Sequence, residues 1–137
     1  MTKSSSSTVT TISPALLYSI LCDDVRREAN GKLILLGLFE TIGAHEFPAT
    51  HPILYVVNGW GGGVGTFTQY TRILGLDSGP LIQDRETTFT LGDLRAKHSV
   101  IARFNNLPLV QPGEYAVEIL LNGDLKLRYP LIVEKTE

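Results

Sequence analysis

The chain has 137 residues, of which 43% are hydrophobic and 19% charged, and its formal net charge is −2. That length suits one domain able to bury a core without a disulfide or metal, and the composition excludes a disordered chain. The lack of basic excess argues against a nucleic-acid phosphate footprint or electrostatic docking on a membrane, and the slightly low charged share suggests a surface partly covered by a partner.

Residues 1–13 are polar, with Ser4 to Ser7 in a row, and read as a flexible N-terminal arm with neither a signal peptide nor a membrane anchor. An edge strand from Thr8 to Ile12 is the other option for this stretch. Residues 14–137 read as a single domain. After Pro14, Ala15 to Cys22 forms a first strand, followed by a charged tip (Asp23, Asp24, Arg26, Arg27, Glu28) and the turn pair Asn30-Gly31. A second strand runs from Lys32 to about Ile42, and a third from Ile53 to Val57 follows the prolines at 48 and 52. Gly59 to Gly65 reads as a glycine-rich loop carrying Trp60. Thr66 to Leu76 is a fourth strand, closed by the turn Asp77-Ser78-Gly79-Pro80.

Leu81 to Leu91 and Lys97 to Phe104 supply two more strands, and Thr90 to His98 is the one stretch with the spacing for a helical turn. A proline-bounded loop, Asn105 to Pro112, leads into the clearest element of the chain. There Tyr115, Val117, Ile119 and Leu121 alternate with mostly polar or small residues, Asn122-Gly123 turns, and Leu125, Leu127, Tyr129, Leu131 and Val133 repeat the alternation. Apolar period-two spacing on both sides of Asn-Gly is the strongest local signal for a hairpin. The rhythm predicts an all-β, antiparallel two-sheet sandwich of about eight strands, immunoglobulin-like or jelly-roll-like, rather than a βαβ arrangement.

The early strands are apolar on both faces: Leu33, Leu35 and Phe39 alternate with Ile34, Leu36 and Leu38. A simple sandwich strand has one solvated face, so the second needs a cover: the arm, a loop, a protein partner or another copy. Ile34, Leu36 and Leu38 are therefore the candidate interaction surface of a non-enzymatic, protein-binding or self-assembling module. The alternative is a small-ligand or carbohydrate-binding module whose aromatics are Trp60, Tyr55 and Tyr70.

Catalytic and metal signatures are weak. The glycine-rich loop lacks the Lys-Ser/Thr pair and following helix of a phosphate loop. His45, His51 and His98 have no ligand spacing, and Cys22 would need a histidine brought to it by folding. Asp23 and Asp24, with Asp77 and Asp124, are a conceivable calcium set, but Arg26 and Arg27 beside the first pair favour a self-neutralising tip. No catalytic residue, metal ligand or cofactor is assigned. A single cysteine permits no intrachain disulfide, and a cytoplasmic protein is the expectation.

The run Leu21-Cys22-Asp23-Asp24-Val25-Arg26-Arg27-Glu28, with Asn30-Gly31-Lys32, Leu36-Gly37-Leu38-Phe39, Phe47-Pro48 and His51-Pro52, resembles an uncharacterised bacterial family of small β-sandwich domains. Phe104-Asn105-Asn106-Leu107-Pro108, Pro112-Gly113-Glu114-Tyr115 and the terminal hairpin fit the same pattern. The likeness spans most of the chain after the arm. It implies the fold and no activity.

Overall fold

The computed structural model describes residues 10–137, which form ten strands and no helix. They are β1 (Ala15–Arg27), β2 (Leu33–Leu38), β3 (Thr41–Ala44), β4 (Ala49–Gly61), β5 (Gly65–Leu74), β6 (Pro80–Gln83), β7 (Thr87–Leu91), β8 (Lys97–Leu109), β9 (Gly113–Leu121) and β10 (Asp124–Lys135). One sheet has the order β2-β1-β4-β8, the other β3-β10-β9-β5-β6, with β7 also on β5. β3 runs parallel to β10, so the second sheet is mixed and the expectation of purely antiparallel pairing is corrected. Most of the arm expected over residues 1–13, including Thr8 and Val9 of its possible edge strand, lies outside the described residues; Ile12 makes a single antiparallel bridge to Val64.

The count of eight strands becomes ten because two runs that read as single strands are each cut. Lys32 to Ile42 divides into β2 and β3, which lie in different sheets; Gly37 takes a φ of 69° at the end of β2, where only glycine is free of strain. Leu81 to Leu91 divides at Asp84. Its carboxylate accepts the Thr71 amide at 2.7 Å and its own amide donates to the Thr71 carbonyl at 3.0 Å, so β6 leaves and β7 joins the same edge of β5.

Other boundaries move for equally local reasons. Asp23 to Arg27 is strand rather than tip, since β1 continues by pairing with β2, and the turn falls at Glu28 to Lys32. Asn105 to Leu109 belongs to β8 rather than to a loop. Asn106 adopts a φ of 56°, and beyond it Leu107 and Leu109 join the core that Phe104 reaches from the other side of the kink. Between Thr90 and His98 a turn replaces the expected helical one, with the Asp93 carboxylate accepting from the Arg95 and Ala96 amides at 2.8 and 3.0 Å. At the last hairpin Asn122 and Gly123 both have positive φ, as an Asn-Gly turn requires.

The two sheets enclose one core. Leu54, Val56 and Trp60 of β4 and Val100, Ala102 and Phe104 of β8 meet Phe67 and Ile73 of β5, Val117 and Ile119 of β9, and Leu131 and Val133 of β10. Burying each such side chain is worth roughly 1.5–3 kcal/mol against exposure. Three fully buried polar residues tie the sheets together: Asn58 Nδ2 donates to Gln69 Oε1 (3.0 Å) and Thr71 Oγ1 (2.9 Å), and Trp60 Nε1 donates to Gln69 Oε1 at 3.2 Å. Such bonds hold register, because breaking one strands a polar atom away from water.

Candidate functional site

The face of the β2-β1-β4-β8 sheet turned away from the core is largely apolar on β2, β1 and β4, while β8 places Ser99, Arg103 and Asn105 around Ile101 at its border. Leu21, Val56 and Ala102 point inward, so their neighbours point outward and form the cross-strand row Leu38, Cys22, Tyr55, Arg103. One step along lie Leu36, Asp24 and Ile53, then Ile34 and Arg26; in the other direction come Ile20, Val57 and Ile101. A register shift between Leu16 and Tyr18 puts both Leu17 and Tyr18 on this side, Leu17 against Gly61 and the Tyr18 ring flat over Gly59, where a Cβ would overlap it. Ser99 Oγ holds the Tyr18 hydroxyl at 2.8 Å.

Exposure singles this face out. Of the twelve large hydrophobics exposed among the described residues, six lie here: Leu17, Tyr18, Ile34, Leu36, Leu38 and Ile53, with Leu38 the most open at 62%. The strands are staggered, since β2 pairs with β1 over Cys22–Arg27 and β4 pairs with it over Ala15–Cys22, so Leu17 and Tyr18 lie toward one end of the face and Ile34, Leu36 and Leu38 toward the other.

Its few polar groups are already engaged. Arg26 Nε donates to Asp24 Oδ2 at 2.9 Å, and this bond holds the Asp24 carboxyl below the usual carboxylate range. The Arg103 guanidinium sits 5.9 Å from the Tyr55 ring centre and its Nε donates to Asn105 Oδ1 at 3.2 Å. Cys22 is fully buried between its neighbours, and burial pushes its thiol up, away from the reactive thiolate. What this surface can do is exclude water against another apolar surface.

Beside it, a cleft of about 820 Å³ opens between the part of β1 that β2 does not reach and β10, lined by Ile20, Leu21, Leu38, Phe39, Pro130 and Ile132 with Ser19, Glu40, Thr41 and Tyr129. The Tyr129 hydroxyl meets Ser19 Oγ at 2.8 Å across the gap, and burial raises the phenol above its ordinary range. Leu38 borders both the cleft and the apolar face.

The residues proposed from sequence are distributed as follows. Ile34, Leu36 and Leu38 share the outer face. Trp60 does not sit in a loop: β4 continues through Gly61, and the indole is wholly buried on the inner face, stacked on Phe89 at 6.0 Å. Tyr55 is on the outer face of one sheet and Tyr70 on β5 beside Leu120 in the other, so the three aromatics form no common site. The histidines are equally scattered: His45 Nδ1 lies 3.2 Å from Thr136 Oγ1, His51 packs on Phe39 and His98 stacks on Phe89. Among the described residues no three His, Cys, Asp or Glu side chains gather in a metal-holding group, and no helix is long and apolar enough to cross a membrane. Sequence reading missed Leu17, Tyr18 and Ile53 as members of the apolar face. Glycines at 59 and 61, alternating with Asn58 and Trp60, were the available signal that β4 ran on and that its other face was flat.

The molecule is thus an all-β domain of two sheets about one core, with an apolar sheet face left open. The chain belongs to the Family of unknown function (DUF6941), whose model matches residues 17–134. No curated protein matches it.

Proposed function

We propose that the protein is a non-enzymatic β-sandwich module that acts by binding protein, a partner or its own kind, through the outer face of the β2-β1-β4-β8 sheet. The observation that carries this reading is the concentration of open hydrophobics on that face: six on β1, β2 and β4, with Asp24 and Arg26 paired beside them and Arg103 stacked on Tyr55. Within the predicted alternatives the connectivity favours an immunoglobulin-like sandwich over a jelly roll. β4 and β8 share one sheet, β5, β9 and β10 the other, and β3 lies parallel to the last strand. Tyr115, at the start of β9, supports the same reading by donating its hydroxyl to the Gln111 carbonyl at 2.7 Å, the corner found in such domains. A ligand module built on Trp60 finds no support in the position of the indole.

Leu36→Lys tests the proposal cleanly. Leu36 pairs with Asp24 across β1 and β2, so the new ammonium gains a carboxylate neighbour and the fold should hold within about 1 kcal/mol. Association, read by light scattering after size exclusion or by binding to an identified partner, should be lost. A folded Leu36→Lys protein that associates as well as the wild type refutes the proposal.

A further inference from the structure

We infer that the cleft beside β1 takes an extended segment of another protein, added as a strand to the open edge of β1 and carrying a basic residue toward Glu40. The site is distinct from the outer face, although Leu38 borders both. β4 pairs with one edge of β1 over Ala15–Cys22, whereas β2 pairs with the other edge only over Cys22–Arg27. That second edge therefore has no strand beside it from Ala15 to Leu21. The Leu21 carbonyl accepts the Phe39 amide at 3.1 Å, so the backbone polar groups of Leu21 face this edge, and by the two-residue period those of Ser19 do too. Among the described residues no backbone group pairs with the Ser19 amide or carbonyl. An edge free of charge and of proline over Ala15-Leu16-Leu17-Tyr18-Ser19-Ile20-Leu21 is a template for a further strand.

The opposite wall of the cleft cannot serve in the same way. β3 pairs with β10 only over Ile132–Lys135, which leaves the earlier part of that edge uncovered. The Ile132 amide donates to the Glu40 carbonyl at 3.4 Å, so Ile132 faces the edge and, two residues earlier, so does Pro130, which has no N–H to donate. β10 thus supplies a wall of Tyr129, Pro130 and Ile132, and β1 supplies the hydrogen bonds. The outer edge of β2 is also unpaired, but that strand stands in the open, with four of its six residues exposed. The β1 edge instead borders a walled cleft of about 820 Å³, a volume within the range of sites that enclose a ligand.

The lining specifies the occupant. Successive side chains of an added strand point to opposite sides of the sheet, so one set meets Ile20 and Leu38 and the other meets Phe39 and Tyr129. A segment rich in Val, Ile, Phe or Tyr suits both. Glu40 is the one acidic or basic side chain of the lining, is exposed, and makes no ion pair among the described residues. A lysine or arginine in the segment complements it. The chain's own residues 1–9 have the wrong chemistry, since Met1 and Val9 are the only apolar side chains among them.

The experiment screens the full chain against displayed peptides of about seven residues, rich in Val, Ile, Thr, Phe and Tyr with one variable charged position. The best binder is then measured on Ser19→Pro, Ser19→Ala, Glu40→Lys and Leu36→Lys, with folding checked by urea midpoint and slope. Proline at position 19 removes the amide from the open edge and leaves the bonds to β4, whereas alanine keeps the amide and loses only the hydroxyl contact with Tyr129. We expect a binder with Lys or Arg at the charged position. Its dissociation constant should rise at least about tenfold in Ser19→Pro and less than about threefold in Ser19→Ala and Leu36→Lys. Glu40→Lys should turn the preference to an acidic residue. In the wild type, hydrogen exchange at the Ser19 amide should be fast without peptide and at least about tenfold slower with it, and this decides the matter if Ser19→Pro fails to fold. Absence of any binder, a folded Ser19→Pro that binds as well as wild type, or peptide binding lost in Leu36→Lys overturns the inference. So does a Ser19 amide that the peptide leaves unprotected, or one already protected in the free chain, where the chain itself would occupy the edge. A binder indifferent to Glu40→Lys overturns the assigned charge.

Discussion

Removing the two arginines that flank Glu118 should cost more together than the sum of removing each. Glu118 lies on β9 in one cross-strand row with Arg72 of β5 and Arg128 of β10, and its side chain is only 5% exposed. Arg72 Nε reaches one carboxylate oxygen at 2.7 Å and Arg128 Nη1 the other at 3.1 Å. A unit charge pair at about 4 Å and an effective dielectric near 20 gains about 4 kcal/mol before desolvation is subtracted. With either arginine absent the carboxylate keeps its other partner, so Arg72→Met should cost about 1 kcal/mol and the more solvated Arg128→Met somewhat less. With both absent a carboxylate is left buried and unpaired, a cost of about 3 kcal/mol, which implies a coupling of about 1 kcal/mol. Urea unfolding of wild type, the two single variants and the double variant measures this, with equal slopes required in all four. Adding Glu118→Met to the double variant should restore most of the loss, since methionine fills the space without a charge to desolvate. Strict additivity, or a triple variant no more stable than the double, would refute the account.

Two further expectations concern the fold that presents the apolar face. Asp84 has its carboxyl raised from 3.8 to about 6 by burial, so the folded state holds its proton more tightly than the unfolded chain does. Its contribution to stability is therefore fully present below about pH 4 and lost as pH rises through about 6, by about 1–2 kcal/mol once solvent screening of this half-buried group is allowed for. Unfolding midpoints measured from pH 4 to 7 should show that fall in the wild type and a flatter profile in Asp84→Asn; equal slopes would contradict it. Tyr115→Phe deletes the hydroxyl that donates to the Gln111 carbonyl at 2.7 Å from a nearly buried ring, and should lower stability by about 1–2 kcal/mol in urea melts. No change would mean that the corner is not part of what holds β8 and β9 in place.

The sequence by itself determined that this chain is all-β, where the last hairpin turns, and that its first strands have no polar face. Those properties are local: alternation has a period of two residues, and Asn122-Gly123 needs nothing beyond itself to take positive φ. It also made Ile34, Leu36 and Leu38 conspicuous, because three large apolar side chains on one side of a short strand stand out against any turn-bounded pattern. What only the tertiary structure decided was which face of each strand lies inside. Trp60 read as a loop residue because glycines surround it, yet those glycines are the flat positions over which Tyr18 and Leu17 lie, while the indole finds Gln69 and Phe89 on the opposite side. The division of Lys32 to Ile42 between two sheets, the parallel docking of β3 on β10, and the reversal at Asn106 likewise depend on partners far along the chain. Ser19 meets Tyr129 across 110 positions, and Asn58 bonds Thr71 from the facing sheet. No window of neighbouring residues contains such a pair, because face assignment follows from which distant surfaces close against each other to exclude water.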